Sequence, residues 1–204
     1  MATVDAEKKL QNRVLHWLVD DLGYTYLGNL EDIDNTPVKE ELLKANLKKR
    51  GYTDDQIKTA IGELVGKVNN QSDTLYQINR SVYSLLRYGR QGAKDANGHC
   101  QTVHYIDWED IGKNDFFVAE EVSVLRFDKV TRKRPDVVLY INGIALGVFE
   151  LKSSYVSAGK GIRQLLQNQK RENILNFFST AQFLFAGNEA EGLFYGTINT
   201  PEKY

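Results

Sequence analysis

One cysteine, three histidines and no apolar run long enough to cross a bilayer bound what this 204-residue chain can be. The lone Cys100 can form no internal disulfide and supplies no cysteine cluster, which suits a reducing compartment. His16, His99 and His104 are not spaced as a metal cluster, and His99 beside Cys100 offers two ligands without further partners. Apolar stretches such as residues 137–141 and 183–186 fall far short of the roughly 20 residues a membrane span needs. The opening Met1-Ala2-Thr3-Val4 has no apolar signal segment, so a cytoplasmic protein without a membrane partner is expected. No Gly-x-x-x-x-Gly-Lys-Ser/Thr loop is present, and Gly159-Lys160-Gly161 lacks the rest of that motif, so ATP binding within these residues is not expected. Nor is there an excess of charge of one sign. Twenty-six basic residues face 27 acidic ones, a net −1 that argues against a broadly basic coating protein. A local basic rim around an acidic site stays open, because its charges cancel in the sum.

What is present fits a globular domain: 42% hydrophobic and 26% charged residues. Leu10, Val14, Leu15, Leu18 and Val19 recur at helical spacing before Gly23, and residues 24–27 read as extended. Pro37 is expected to open a helix reaching Leu47. Thr53 with Gln56 forms a capping-box pattern for a second helix, and a third spans about 72–88. Residues 28–88 therefore read as a helical insert that could form a subdomain. The glycine-rich stretch 89–99 reads as a mobile loop. Beyond it, strands are expected near 116–127, 135–141, 144–152, 181–186 and 192–198, with one long helix near 161–178. The expected fold class is α/β, one domain over residues 1–204, with helices on both sides of a mixed central sheet. The chain ends at Thr200-Pro201-Glu202-Lys203-Tyr204 directly after an expected strand, which fits either a natural terminus or a cut in a longer polypeptide.

The informative stretch runs from Arg132-Lys133-Arg134-Pro135-Asp136 through Asn142-Gly143 to Glu150-Leu151-Lys152. Alternation puts Glu150 and Lys152 on one strand face. Asp136 joins them only if the hairpin departs from a plain two-residue turn, which would pair Asp136 with Phe149. A three-residue loop ending on Gly143, or a bulge elsewhere with the same effect, restores the parity; the loop would pair Asp136 with Val148. Grouped carboxylates repel unless something positive lies between them, and hard oxygen ligands suit Mg²⁺. A cation so held can polarise a phosphate oxygen and activate water, and a lysine two residues on can balance charge at the phosphate. The Leu151 carbonyl could complete the metal shell, and Arg132, Lys133 and Arg134 could approach DNA phosphates from the rim. The competing reading is an ordinary pair of apolar strands ending in charges. Charges at the ends of central strands, however, need partners or a metal.

Pro135-Asp136, Glu150-x-Lys152 and the helix that follows resemble the PD-(D/E)xK motif of the restriction-endonuclease superfamily. With Glu7 and Gly23-Tyr24-Thr25-Tyr26, nearly the whole chain resembles the amino-terminal endonuclease region of the restriction (motor) subunit of type I restriction–modification enzymes. The resemblance implies a restriction-endonuclease-like sheet and Mg²⁺-dependent endonucleolytic cleavage of double-stranded DNA. Asp136, Glu150 and Lys152 would be its catalytic, metal-binding triad. It also implies a role for Glu7 near the metal, against the equally open reading of an exposed first-turn glutamate. The family's Gln-x-x-x-Tyr element matches Gln164 but places Asn168 where the tyrosine belongs, followed by Gln169; an exposed polar helix is the alternative for these auxiliary residues. The implied partners are an ATP-dependent translocase region of the same subunit, absent from these residues, and the modification and specificity subunits. A fragment of such an enzyme would cut weakly or not at all alone. A non-cleaving DNA-binding or end-sensing module, or a domain docking through helices 28–88, are the competing functions. Tyr76, Tyr83 and Tyr88 read as packing or subunit contacts.

Overall fold

In the computed structural model, residues 2–94 and 97–203 are described. A six-stranded mixed sheet carries the molecule, in the order β1-β4-β7-β8-β9-β10. Its strands are β1 (Thr25–Asn29), β4 (Phe116–Glu120), β7 (Val137–Ile141), β8 (Ile144–Leu151), β9 (Phe183–Asn188) and β10 (Gly192–Gly196). β1 runs parallel to β4 and β8 parallel to β9; the other neighbours are antiparallel. β7 and β8 lie at the centre, and all eight residues of β8 are buried, as its nearly unbroken apolar sequence requires.

Each sheet face has its own cover. Helix α1 (Ala2–His16) packs Leu10 and Leu15 onto Val118, Val137, Phe149 and Leu151. Helix α5 (Ala158–Asn168) covers the opposite face with Leu165, beside Val138, Val148 and Ala186. Helices α2 (Glu40–Lys49), α3 (Asp54–Val68) and α4 (Leu75–Tyr88) form a third apolar cluster against Tyr105, Ile144 and Leu146. The expected mixed α/β architecture with a helical insert is thus what the chain adopts. Both α3 and α4 begin with full capping boxes, Thr53 with Gln56 and Thr74 with Gln77.

Several local expectations are corrected. Pro37 opens no helix: its carbonyl accepts from Ala145 N–H, Val38 bridges to Ile144, and α2 begins at Glu40. The stretch read as a mobile loop contains β2 (Arg90–Lys94), paired with β3 (Cys100–Val103); Asp95 and Ala96 within it lie outside the described residues. The strand expected to run through Phe127 stops at Glu120. Glu121 then takes a positive φ of 51°, and a separate hairpin follows, β5 (Val124–Leu125) with β6 (Arg132–Lys133). The long helix ends at Asn168, and a 3₁₀ turn over Leu175–Ser179 completes the connection to β9.

Candidate active site

The position of the acidic hairpin rests on its turn. Asn142 and Gly143 both have positive φ, 53° and 85°, as a two-residue type I′ turn demands, and Ile141 pairs with Ile144. The three-residue loop is therefore not what forms. Parity is corrected further along instead: Tyr140 pairs with Ala145 but Leu139 pairs with Gly147, so Leu146 is an extra, bulged residue. From there Val137 pairs with Phe149, and the same register, carried one residue beyond the start of β7, turns Asp136 to the face of Glu150. The bulge puts the two carboxylates on one face.

Asn142 fixes this turn from inside. It is fully buried; its side-chain amide donates to the Tyr105 carbonyl and to Asn114 Oδ1, each at 2.8 Å, and accepts from Asp115 N–H at 2.7 Å. A Cβ on Gly143 would lie 2.7 Å from the Lys39 carbonyl oxygen, so the turn also sits against the start of α2.

At the other end of the hairpin the charges converge. Glu150 is 0% exposed and Asp136 9%. Asp136 Oδ2 accepts the Leu151 N–H at 2.6 Å. Lys152 Nζ donates to Glu150 Oε1 at 2.6 Å and to the Leu151 carbonyl at 2.8 Å, and lies 4.0 Å from Asp136 and 3.8 Å from Glu7. Its ammonium is the positive charge that lets three carboxylates share this space. Burial, with Asp136 nearby, pushes Glu150 up to about 8. Burial likewise pushes Asp136 up to about 6, opposed by Lys152 and the Leu151 N–H. Burial works against the charge on Lys152, but Glu150 and Asp136 outweigh it and hold its proton more tightly. Of the atoms of this charged group, Glu150 Oε2 is buried without a hydrogen-bond partner.

The auxiliary residues divide. Gly161 brings α5 against the end of β8, where an added Cβ would meet the Glu150 carbonyl oxygen at 3.0 Å. Gln164, one turn on, is half-buried. Asn168 is 1% exposed with neither amide atom bonded, so α5 ends on an unsatisfied buried polar group. Gln169 turns elsewhere: its amide donates to the Leu165 carbonyl and accepts from Asn199 N–H, tying α5 to the last loop. The basic rim is also partly committed. Arg132 pairs with Asp34 at 3.3 Å, and Arg134 pairs with Glu31 and with Glu121, the latter at 2.7 Å. Lys133 carries no such pair among the described residues.

A network not foreseen from sequence buttresses the site. Gln11 Nε2 donates to Glu120 Oε2 at 2.7 Å and to the Asp136 carbonyl at 3.3 Å. Glu120 also accepts from Lys8 and Tyr26, each at 2.6 Å. Burial works against the Glu120 charge, but these donors outweigh it and hold its carboxyl below the usual range. The signal was available: Gln11 lies one turn after Glu7, and Glu120-Glu121 ends an apolar strand as Asp136 begins one.

Residues 6–203 match the family described as the type I restriction enzyme R protein N terminus. The chain belongs to that family. Over 171 residues, 82% of this chain, it is 28% identical to a putative type I restriction enzyme MjaVIIIP endonuclease subunit of Methanocaldococcus jannaschii. It is also 28% identical over 145 residues, 65% of the chain, to that organism's putative MjaIXP endonuclease subunit. With the type I restriction enzyme HindI endonuclease subunit of Haemophilus influenzae it shares 34% identity over 77 residues, 37% of the chain. The matched parts are 16%, 14% and 7% of these relatives' lengths, so the chain corresponds to a small part of each. The family places it in a type I restriction system. Among the described residues no helix is long and apolar enough to cross a membrane.

Proposed function

We propose that this chain performs Mg²⁺-dependent endonucleolytic cleavage of double-stranded DNA within a type I restriction enzyme. The observation that carries the reading is that Lys152 Nζ, bonded to Glu150 Oε1 and 4.0 Å from Asp136 Oδ2, brings both carboxylates together at the ends of the two central strands. Among the described residues no three His, Cys, Asp or Glu side chains converge closely enough to enclose an ion. The fit rests instead on a mixed oxygen set, Asp136, the unpartnered Glu150 Oε2 and the Leu151 carbonyl, which suits a hard divalent cation. When bound, such a cation would neutralise charge at the scissile phosphate and lower the pKa of attacking water.

The chain's own residues supply the rest. Lys152 keeps the carboxylates together and presents a persistent positive charge to a phosphate oxygen or an attacking water. Leu151 N–H fixes the Asp136 carboxylate, and Gln11 fixes its backbone, so the donor set is held before substrate arrives. Glu7 stands close enough to Lys152 to orient it. Lys133 would contact DNA phosphates directly, whereas Arg132 and Arg134 must exchange carboxylate partners to do so.

The test is divalent-metal titration of wild type and Asp136→Ala in the complete assembly, where the translocase region and the modification and specificity subunits are the proposed partners. Cleavage should disappear in the variant while folding and DNA translocation persist. Unchanged cleavage would remove Asp136 from the site and favour a non-cleaving DNA-binding role.

A further inference from the structure

A cleft of about 480 Å³ lies between the β5–β6 hairpin, the α3–α4 loop and the segment between α5 and β9. Its volume is typical of sites for small organic ligands, about 300–1,000 Å³. Three cationic side chains, Arg126, Lys129 and Arg171, line it. The two lining carboxylates are already engaged: Asp34 accepts from Arg132 and from Leu125 N–H, and Asp73 accepts from Asn70. Lys129 and Arg171 have no ion-pair partner among the described residues.

The wall is built rather than incidental. Asp128 accepts from Val130 N–H, Thr131 N–H and the Thr131 hydroxyl, and these bonds hold its carboxyl down at about 2. That closed turn presents Lys129 with a φ of +55°. Phe127 N–H donates to the Asn173 carbonyl, which anchors the hairpin across the cleft. Arg126 uses one terminal nitrogen on Thr131, 3.8 Å from Asp128 Oδ2, yet its Nε is buried with no acceptor. A buried guanidinium donor without an acceptor, beside two free cations, calls for an anion with several oxygens. The Phe127 ring, 60% exposed on the lining, offers a stacking face, and the half-buried Asn176 amide offers a group for a base edge.

We infer that this cleft binds the phosphate of a nucleotide, either free or as part of a DNA strand. Arg126, Lys129 and Arg171 hold the phosphate and Phe127 takes the base.

The probes are inorganic phosphate, AMP and a short single-stranded oligonucleotide, with binding to the protein measured in EDTA so that no cleavage is needed. The comparison is Lys129→Ala/Arg171→Ala against Lys58→Ala/Lys67→Ala, which removes the same charge from the exposed side of α3. Both pairs are on the surface, and equal melting temperatures check the fold. The cleft variant should bind AMP or the oligonucleotide at least ~10-fold more weakly than the control. It should also lower the salt slope for the oligonucleotide by about two. Loss with AMP identifies free nucleotide as a ligand; loss confined to the oligonucleotide identifies the strand. Phe127→Ala should weaken AMP but leave inorganic phosphate unchanged. If wild type binds none of the probes, or the two double variants bind alike, the inference is wrong.

Discussion

Glu150→Gln should stabilise the protein in chelating buffer while abolishing its proposed chemistry. Glu150 is fully buried beside Asp136, and its carboxyl sits at about 8 rather than 4.5. The folded state therefore holds that proton more tightly than the unfolded chain. Its contribution is fully present below about 4.5 and is lost as the pH rises through about 8. Near neutral pH the cost of this burial is on the order of 3 kcal/mol. Glutamine is neutral without taking up a proton on folding and keeps an acceptor for Lys152, but it still buries an amide, so the net gain should be about 1–2 kcal/mol. For a chain of this length that is roughly 2–8 °C in melting temperature. The assay is thermal unfolding in EDTA at about pH 5 and about pH 8, with the gap between variant and wild type wider at the higher pH. Adding Mg²⁺ should raise the wild-type melting temperature and leave the variant nearly unmoved. A variant that melts at or below wild type at the higher pH would refute the reasoning.

Lys152→Ala should have the opposite sign, destabilising by about 3 kcal/mol in EDTA because it leaves Glu150 and Asp136 buried without a counter-charge. In the Lys152→Ala/Glu150→Gln double variant much of that loss should vanish, a non-additivity read by denaturant unfolding. Asn142→Ala loses three buried side-chain hydrogen bonds and places alanine at φ 53°, so a loss of about 3–5 kcal/mol is expected in the same assay. Gln11→Ala should leave the fold intact but raise the Glu120 carboxyl, visible by NMR titration, and lower cleavage without changing DNA affinity.

Glu150, Lys152 and the apolar strands around them were legible because alternation on a buried strand has only two outcomes. Helix α3 was legible for a similar reason, since the Thr53–Gln56 capping box announces its start. What stayed hidden depended on contacts distant in sequence. Pro37 reads as a helix opener until Ala145 N–H takes its carbonyl. Arg132 and Arg134 read as a free basic rim until Asp34 and Glu31, about a hundred residues earlier, are folded against them. Gln169 reads as part of the site until the last loop claims its amide.

The acidic pair shows where local reasoning stops. Asn142-Gly143 favours the two-residue turn on its own chemistry, and Asn142 is locked there by Tyr105, Asn114 and Asp115. Taken alone, that turn would put Asp136 opposite Phe149 and break the site. The residue that repairs it is Leu146, an ordinary leucine with no turn or bulge signature, buried in the cluster formed by α2, α3 and α4. Its side chain leaves the β7–β8 register to fill that cluster, and the parity of every later β8 residue changes. The helical insert therefore contributes to the candidate site without touching it. Shortening Leu146 to alanine weakens the apolar pull that favours the bulge, a loss of about 2–4 kcal/mol in stability. If the bulge depends on that pull, cleavage should fall further than the loss of stability explains, because the straightened register turns Glu150 and Lys152 away from Asp136. A variant that unfolds more easily but cleaves normally under folding conditions would show that the backbone holds the bulge without the leucine.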